Sequence, residues 1–176
     1  MKKIILAIFG LILFTSRCTS QTYMESGVLT SVMAQEEFTF RANKVNVNNQ
    51  DVINSMNALP GGSVGRMQSL TPGYDIVFKN KEMQVYLPYF GRTYSTSTNN
   101  GNLTFDFTSK DFSIDKKEDK NGKKTWTIKP NDINYISAMY LEIYSNGKAY
   151  LSINANDRQP ASYNGFIMKN EVKKEK

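Results

Sequence analysis

The sequence predicts an all-β fold, an up-and-down antiparallel barrel of about eight strands with one or two short helices near the N-terminus. Three observations predict it. From residue 37 onward, apolar and polar residues alternate in short runs, which is the period of a half-buried strand. Turn residues separate the runs, and two of the turns, "KNGK" (120–123) and "SNGK" (145–148), share one pattern. Long connections of the kind that cross between the sheets of a Greek-key sandwich are scarce, and a meander hides its edges most readily by closing on itself.

The elements follow in chain order. Residues 25–36, "ESGVLTSVMAQE", place Val28, Leu29, Val32 and Met33 at helical spacing and predict a helix leading into the domain. "EFTFRANKVNV" sets Phe38, Phe40 and Ala42 against Thr39 and Arg41, as a strand does. In "NNQDVINSMNALPGG", Asn49 can cap, Val52, Ile53, Met56 and Leu59 share a face, and Pro60-Gly61-Gly62 ends the run, so a short helix is expected over 50–58. Pro72 and Gly73 of "TPGY" suit a type II turn. "YDIVFKNKEMQVYL" turns at Asn80-Lys81 and sets Phe78 opposite Met83, Ile76 opposite Val85 and Tyr74 opposite Leu87. After "STNNGN", the residues Leu103, Phe105 and Phe107 alternate with Thr104 and Asp106, and "RQPASYNGFIM" supplies a last strand.

Side-chain pattern chooses the register of the two Asn-Gly hairpins. A two-residue loop at "SNGK" would put Leu141 and Ile143 on the opposite face from Leu151 and Ile153. A three-residue loop with a left-handed Gly147 pairs Leu141 with Leu151 and Met139 with Ile153, leaving one face wholly apolar. The same loop around Gly122 pairs Ile114 with Ile128 and Lys116 with Trp126.

The start, "MKKIILAIFGLILFTSRCTSQ", has two lysines, an apolar run from Ile4 to Phe14 and then small polar residues. That is the layout of a secretory signal, and the run is too short to span a membrane as a helix. Two processing readings stand side by side. Cys18 is a lipidation candidate, although Arg17 sits where a lipobox carries a small residue; alternatively cleavage follows Ser20 and leaves Gln21 first. The expected organisation is a signal over 1–20, a linker with a short helix over 21–36, one barrel domain over 37–168 and a basic tail over 169–176. Localisation is expected to be exported, periplasmic or outer-membrane-associated, with membrane contact only through a lipid anchor on Cys18.

The chain has 22 basic and 16 acidic residues, a net of +6, but Lys2, Lys3 and Arg17 belong to the signal. The remaining +3 is scattered, whereas nucleic-acid binding wants a concentrated basic face, so no nucleic-acid partner is expected. Histidine is absent and the single cysteine lies in the signal. Histidine-dependent nucleophilic catalysis, thiolate chemistry and zinc or iron–sulfur sites therefore lack their residues in the folded domain. "PGGSVGR" lacks the spacing of a phosphate loop. Asp106, Asp111, Asp115 and Glu142 could form a carboxylate pair, but their alternation with apolar residues points most of them to water. "DFSIDKKED" lacks the spaced oxygen ligands and central glycine of a calcium loop. No catalytic residue, metal site or cofactor is expected, and the chain is read as not an enzyme.

Several stretches together carry a family resemblance: "FTFRANKV", "VYLPYFGR", "YSNGKAYLSI" and "SYNGFI". With the exported start, they resemble a Bacteroidota family, the domain of unknown function 4251 (DUF4251), over roughly residues 36–168. The resemblance implies a secreted or lipid-anchored envelope protein with a lipocalin-like barrel. It attaches no activity, cofactor or catalytic residue.

Two groups of residues are candidate ligand sites. In the argued register, Glu142 faces Tyr150 and Tyr140 faces Ser152, so Tyr140, Glu142, Tyr144 and Tyr150 form an amphipathic patch suited to a sugar ring or a protein partner. The plainer reading is that tyrosine is a good residue for a half-exposed strand. The second group is Tyr89, Phe90, Arg92 and Tyr94, after Pro88. Phe90, Arg92 and Tyr94 could share a face, with the guanidinium stacked on a ring and able to hold a carboxylate or phosphate. Pro88 and Gly91 also have a purely structural reason, since a barrel corner needs a lost donor and a sharp bend. The expectation is a non-enzymatic binding module for a small molecule, glycan or lipid-like ligand. Its alternative is an envelope scaffold or protein-interaction domain with a filled barrel.

Overall fold

The structure, a computed structural model, describes residues 21–47, 50–58, 65, 68–94 and 104–171. Helix α1 (Ser26–Gln35) precedes β1 (Phe38–Asn46), and α2 (Gln50–Ala58) follows it. Then come β2 (Asp75–Lys79), β3 (Glu82–Pro88), β4 (Thr104–Ser109), β5 (Phe112–Glu118), β6 (Lys124–Pro130), β7 (Ile136–Ile143), β8 (Lys148–Ala155) and β9 (Ala161–Met168). The strands form one antiparallel sheet in the order β4-β3-β2-β1-β9-β8-β7-β6-β5, curled into a nearly closed barrel. Both helices lie where the apolar spacing places them. Asn49 and 59–64, including the Pro60-Gly61-Gly62 stop, lie outside the described residues, as do Cys18 and Leu103.

An odd number of strands, each antiparallel to its neighbour, leaves the two edge strands β4 and β5 running the same way. Only Lys110 and Asp111 separate them, so they are consecutive halves of one bent strand. The first half pairs with β3, for example Phe105 with Leu87, and the second with β6, for example Ile114 with Ile128. This bent strand closes the seam, which is why about eight strands and nine describe the same barrel. The bend frees backbone donors, and one carboxylate collects them. Asp132 accepts from Ser109 Oγ at 2.5 Å, Lys110 N–H at 2.8 Å and Asp111 N–H at 3.2 Å. The Ser109 hydroxyl and the backbone N–H groups lower the pKa of its acid from the usual carboxylate value.

Turn chemistry sets the registers. Gly122 and Gly147 take φ of 75° and 81°, and the pairings are Leu141 with Leu151, Met139 with Ile153, and Lys116 with Trp126. Asn80 and Lys81, at φ of 53° and 62°, make a two-residue turn that sets Phe78 opposite Met83. Gly165, opposite Ala42, sits beside a bulge in the β1–β9 pairing. A Cβ there would lie 2.2 Å from the Arg41 carbonyl oxygen, so only glycine lets the two backbones approach this closely.

The interior is filled with side chains. Phe38, Phe40, Phe78, Met83, Leu87, Phe105, Ile128, Met139, Leu141, Leu151, Ile153 and Tyr163 are all 0–1% exposed, so no water-sized space adjoins them. Phe38 stacks on Phe78 at 4.8 Å, and Trp126 meets both edge-on at 5.2 and 6.2 Å. Helix α1 seals the end where β1 begins: Leu29, Val32 and Met33 join the core, Glu36 pairs with Lys116, and Tyr23 N–H donates to Asn146 O at 2.8 Å. Tyr23 also stacks on Phe166 at 4.7 Å.

Candidate functional site

The opposite end of the barrel is built around Pro88–Tyr94, which leaves β3 and turns over the rim. Tyr89 is buried, and its hydroxyl donates to the Arg92 carbonyl at 2.7 Å, folding the loop back on itself. Gly91 lies against that ring, where a Cβ would fall 2.5 Å from the Tyr89 hydroxyl. Two main-chain hydrogen bonds pin the loop to the β8–β9 connection. Tyr94 N–H donates to Asp157 O at 2.7 Å and Gln159 N–H donates to Arg92 O at 3.0 Å, which together make the isolated bridge between Thr93 and Arg158.

Arg158 is the functional-end residue that pattern reasoning missed. Its guanidinium is nearly buried, 6% exposed, beside the 10%-exposed carboxylate of Asp157 at 2.9 Å. It lies over the rings of Tyr89, Phe105 and Tyr135 at 5.1, 5.0 and 5.9 Å. A buried charge held by a carboxylate and ring faces locks three segments together and closes this end of the barrel. The only sequence signal was an arginine beside an aspartate before Pro160, which reads equally well as a solvated turn.

The pinned loop leaves a groove of about 350 Å³ on the surface, lined by Val45, Asn46, Phe90, Gly91, Tyr94, Gln159, Pro160 and Ala161. Phe90 and Tyr94 remain 36% and 67% exposed. No charged side chain lines it among the described residues. Asn46 is held in place by Asn164 Nδ2, which donates to its Oδ1 at 3.0 Å, while its own Nδ2 donates to Ser162 Oγ at 3.4 Å.

The family profile "domain of unknown function (DUF4251)" matches residues 21–167, most of the chain. The chain belongs to the DUF4251 family. Among solved structures, a DUF4251 family protein from Bacteroides eggerthii is similar at 15% identity, with 82% of this chain and 87% of that chain covered and a TM-score of 0.49. No curated protein matches.

Two of the DUF4251-like stretches meet at this end of the barrel. The buried Tyr163 hydroxyl of "SYNGFI" donates to the Pro88 carbonyl of "VYLPYFGR" at 2.8 Å, satisfying an acceptor at the strand break. Burial raises the Tyr163, Tyr89 and Tyr135 hydroxyls above the ordinary tyrosine value. Tyr89 and Gly91 are thus corner residues, whereas Phe90 and Tyr94 are surface residues of the groove.

Arg92 departs from the sequence expectation. Its guanidinium pairs with Asp51 at the start of α2 instead of stacking on Phe90 or Tyr94, and it does not line the groove. Helix α2 supplies a carboxylate that no local pattern around residue 92 could announce. The tyrosine patch forms as expected on β7 and β8, with Glu142 opposite Tyr150 and Tyr140 opposite Ser152. There Glu142 pairs with Lys123 at 3.3 Å and accepts from the Tyr144 hydroxyl at 3.4 Å; Tyr140 and Tyr144 are exposed. The two groups of candidates lie apart, one on the barrel wall and one at its end. The carboxylates weighed for a pair each have their own setting: Asp115 pairs with Lys117 at 3.4 Å, Asp111 accepts from Asn131 at 2.9 Å, and Asp106 sits opposite Tyr86.

Proposed function

We propose that this protein is a non-enzymatic module of the bacterial envelope whose solid barrel is a scaffold and whose recognition surface lies outside it. The observation that carries the reading is the filled interior. Large side chains with no accessible surface occupy the space in which a ligand-carrying barrel keeps its cavity, and α1 and the Arg158 cluster close the two ends. The groove beside Phe90 and Tyr94 is the recognition surface, because a large exposed ring on a backbone-pinned loop loses little freedom on binding. The signal-like start supports export, and a folded domain without cysteine or histidine suits binding better than catalysis.

Native mass spectrometry of the processed protein, purified from its host's envelope, tests this. The expected result is a chain carrying no apolar small molecule, and a lipid-sized passenger lost on denaturation would overturn the filled-scaffold reading. The same spectrum separates acylation at Cys18 from a chain starting at Gln21.

A further inference from the structure

We infer that the groove between Pro88–Tyr94 and the β8–β9 connection is a binding site for a neutral saccharide; this rests on the outside-surface reading above. The lining decides the ligand class by elimination. An anion or cation would enter a groove whose described lining carries no charge, and Arg92 beside it is already paired with Asp51. A wholly apolar ligand would cover the spare donor and acceptor of the Asn46 amide, which costs free energy. A sugar ring meets both demands, with a C–H face for an aromatic ring and a rim of hydroxyls for amides.

The geometry supports the same choice. Phe90 and Tyr94 stand exposed on a loop fixed by the Tyr89 hydroxyl bond and by main-chain links to Asp157 and Gln159. The Asn46 amide, oriented by Asn164 and Ser162, uses one donor and one acceptor in those bonds and keeps one of each for a hydroxyl. A volume of about 350 Å³ lies at the small end of ligand sites, suited to one or two rings of a longer chain crossing an open groove.

The experiment is a titration of the labelled protein with neutral cello-, xylo-, manno- and malto-oligosaccharides, followed by two-dimensional NMR of amides and methyls. The expected result is saturable shifts at Phe90, Tyr94, Gln159 and Asn46 with at least one sugar. Phe90→Ala and Tyr94→Ala each weaken that binding by roughly tenfold, while Tyr144→Ala on the barrel wall leaves it unchanged. Both groove side chains are exposed, and the free spectrum of each variant verifies its fold. Absence of groove shifts with every sugar, or groove shifts insensitive to both alanine variants, overturns the saccharide assignment and leaves the scaffold reading standing. Shifts concentrated on the interior methyls of Leu141, Leu151 and Ile153 overturn the scaffold reading itself.

Discussion

Replacing Gly165 by alanine tests the closest backbone approach in the barrel. A Cβ at this position would lie 2.2 Å from the Arg41 carbonyl oxygen and 2.8 Å from two atoms of the Phe40 ring. The carbonyl is main chain, and the Phe40 ring is fully buried, so neither can swing into solvent. The strands must separate by about an ångström or the core must be overpacked. Overpacking costs about 1–3 kcal/mol, and the backbone clash places this site at the upper end. Weakening one or two ladder hydrogen bonds adds about 0.5–1.5 kcal/mol each. A total of about 3.5–6 kcal/mol in a domain of this size lowers Tm by roughly 7–24 °C. Urea unfolding monitored by the single tryptophan, the buried Trp126, together with thermal circular dichroism, measures both quantities. The internal control is Gly27→Ala in α1, where nothing lies within 4 Å of the added atom. It should gain about 0.5–1 kcal/mol from helix propensity. A Gly165→Ala variant within about 0.5 kcal/mol of the parent would refute the argument that close approach, and not strand flexibility, requires glycine here.

Three further outcomes are expected. Lys81→Gly relieves a left-handed non-glycine residue in the β2–β3 turn and raises stability by about 1 kcal/mol, read from the urea midpoint; a loss would mean that the Lys81 side chain contributes more than its backbone strain costs. Asp132 has a folded-state pKa below its ordinary 3.8, so its contribution is present above that value and disappears as pH falls through the depressed one. Asp132→Asn should therefore flatten part of the acid limb of a stability–pH curve, and an unchanged limb would remove Asp132 as the bend's anchor. Tyr163, Tyr89 and Tyr135 have hydroxyls raised by burial, so their stabilising effect holds below the ordinary value of 10.0 and is lost as pH rises through the folded values. Phenolate absorbance from the fully buried Tyr163 should appear only with loss of tertiary circular dichroism, and its reversible ionisation in an intact barrel would contradict its burial.

The legible part of this protein was local. Alternation in "YLEIYSNGKAYLSI" permits only one hairpin loop that keeps Leu141, Ile143, Leu151 and Ile153 on one face, because a one-residue slip would turn one of the strands over. The same reasoning placed Lys116 against Trp126 and Glu142 against Tyr150. Helical spacing located α1 and α2. The hairpin stretch "YSNGKAYLSI" is also one of the four that carry the resemblance to DUF4251, and the family match bears that resemblance out. Phe90 and Tyr94 could be named as exposed candidates from their place after a strand break.

Contacts between distant segments were not legible. Arg92 meets Asp51 across 41 positions of chain, and Arg158 finds its rings at Tyr89, Phe105 and Tyr135; neither pairing has a sequence period to betray it. The bend that makes β4 and β5 one strand depends on the Asp132 carboxylate, more than twenty positions beyond it. Whether the barrel is hollow was equally hidden. Alternation states which side chains face inward, but barrel diameter follows from strand number, tilt and stagger, which only closure sets. The sequence by itself determined the strands, their hairpin registers and the apolar face. The tertiary structure alone decided that this face closes on a filled interior and that the aromatic loop at its end is held open as a groove, because packing and long-range pairing arise only when remote segments share space.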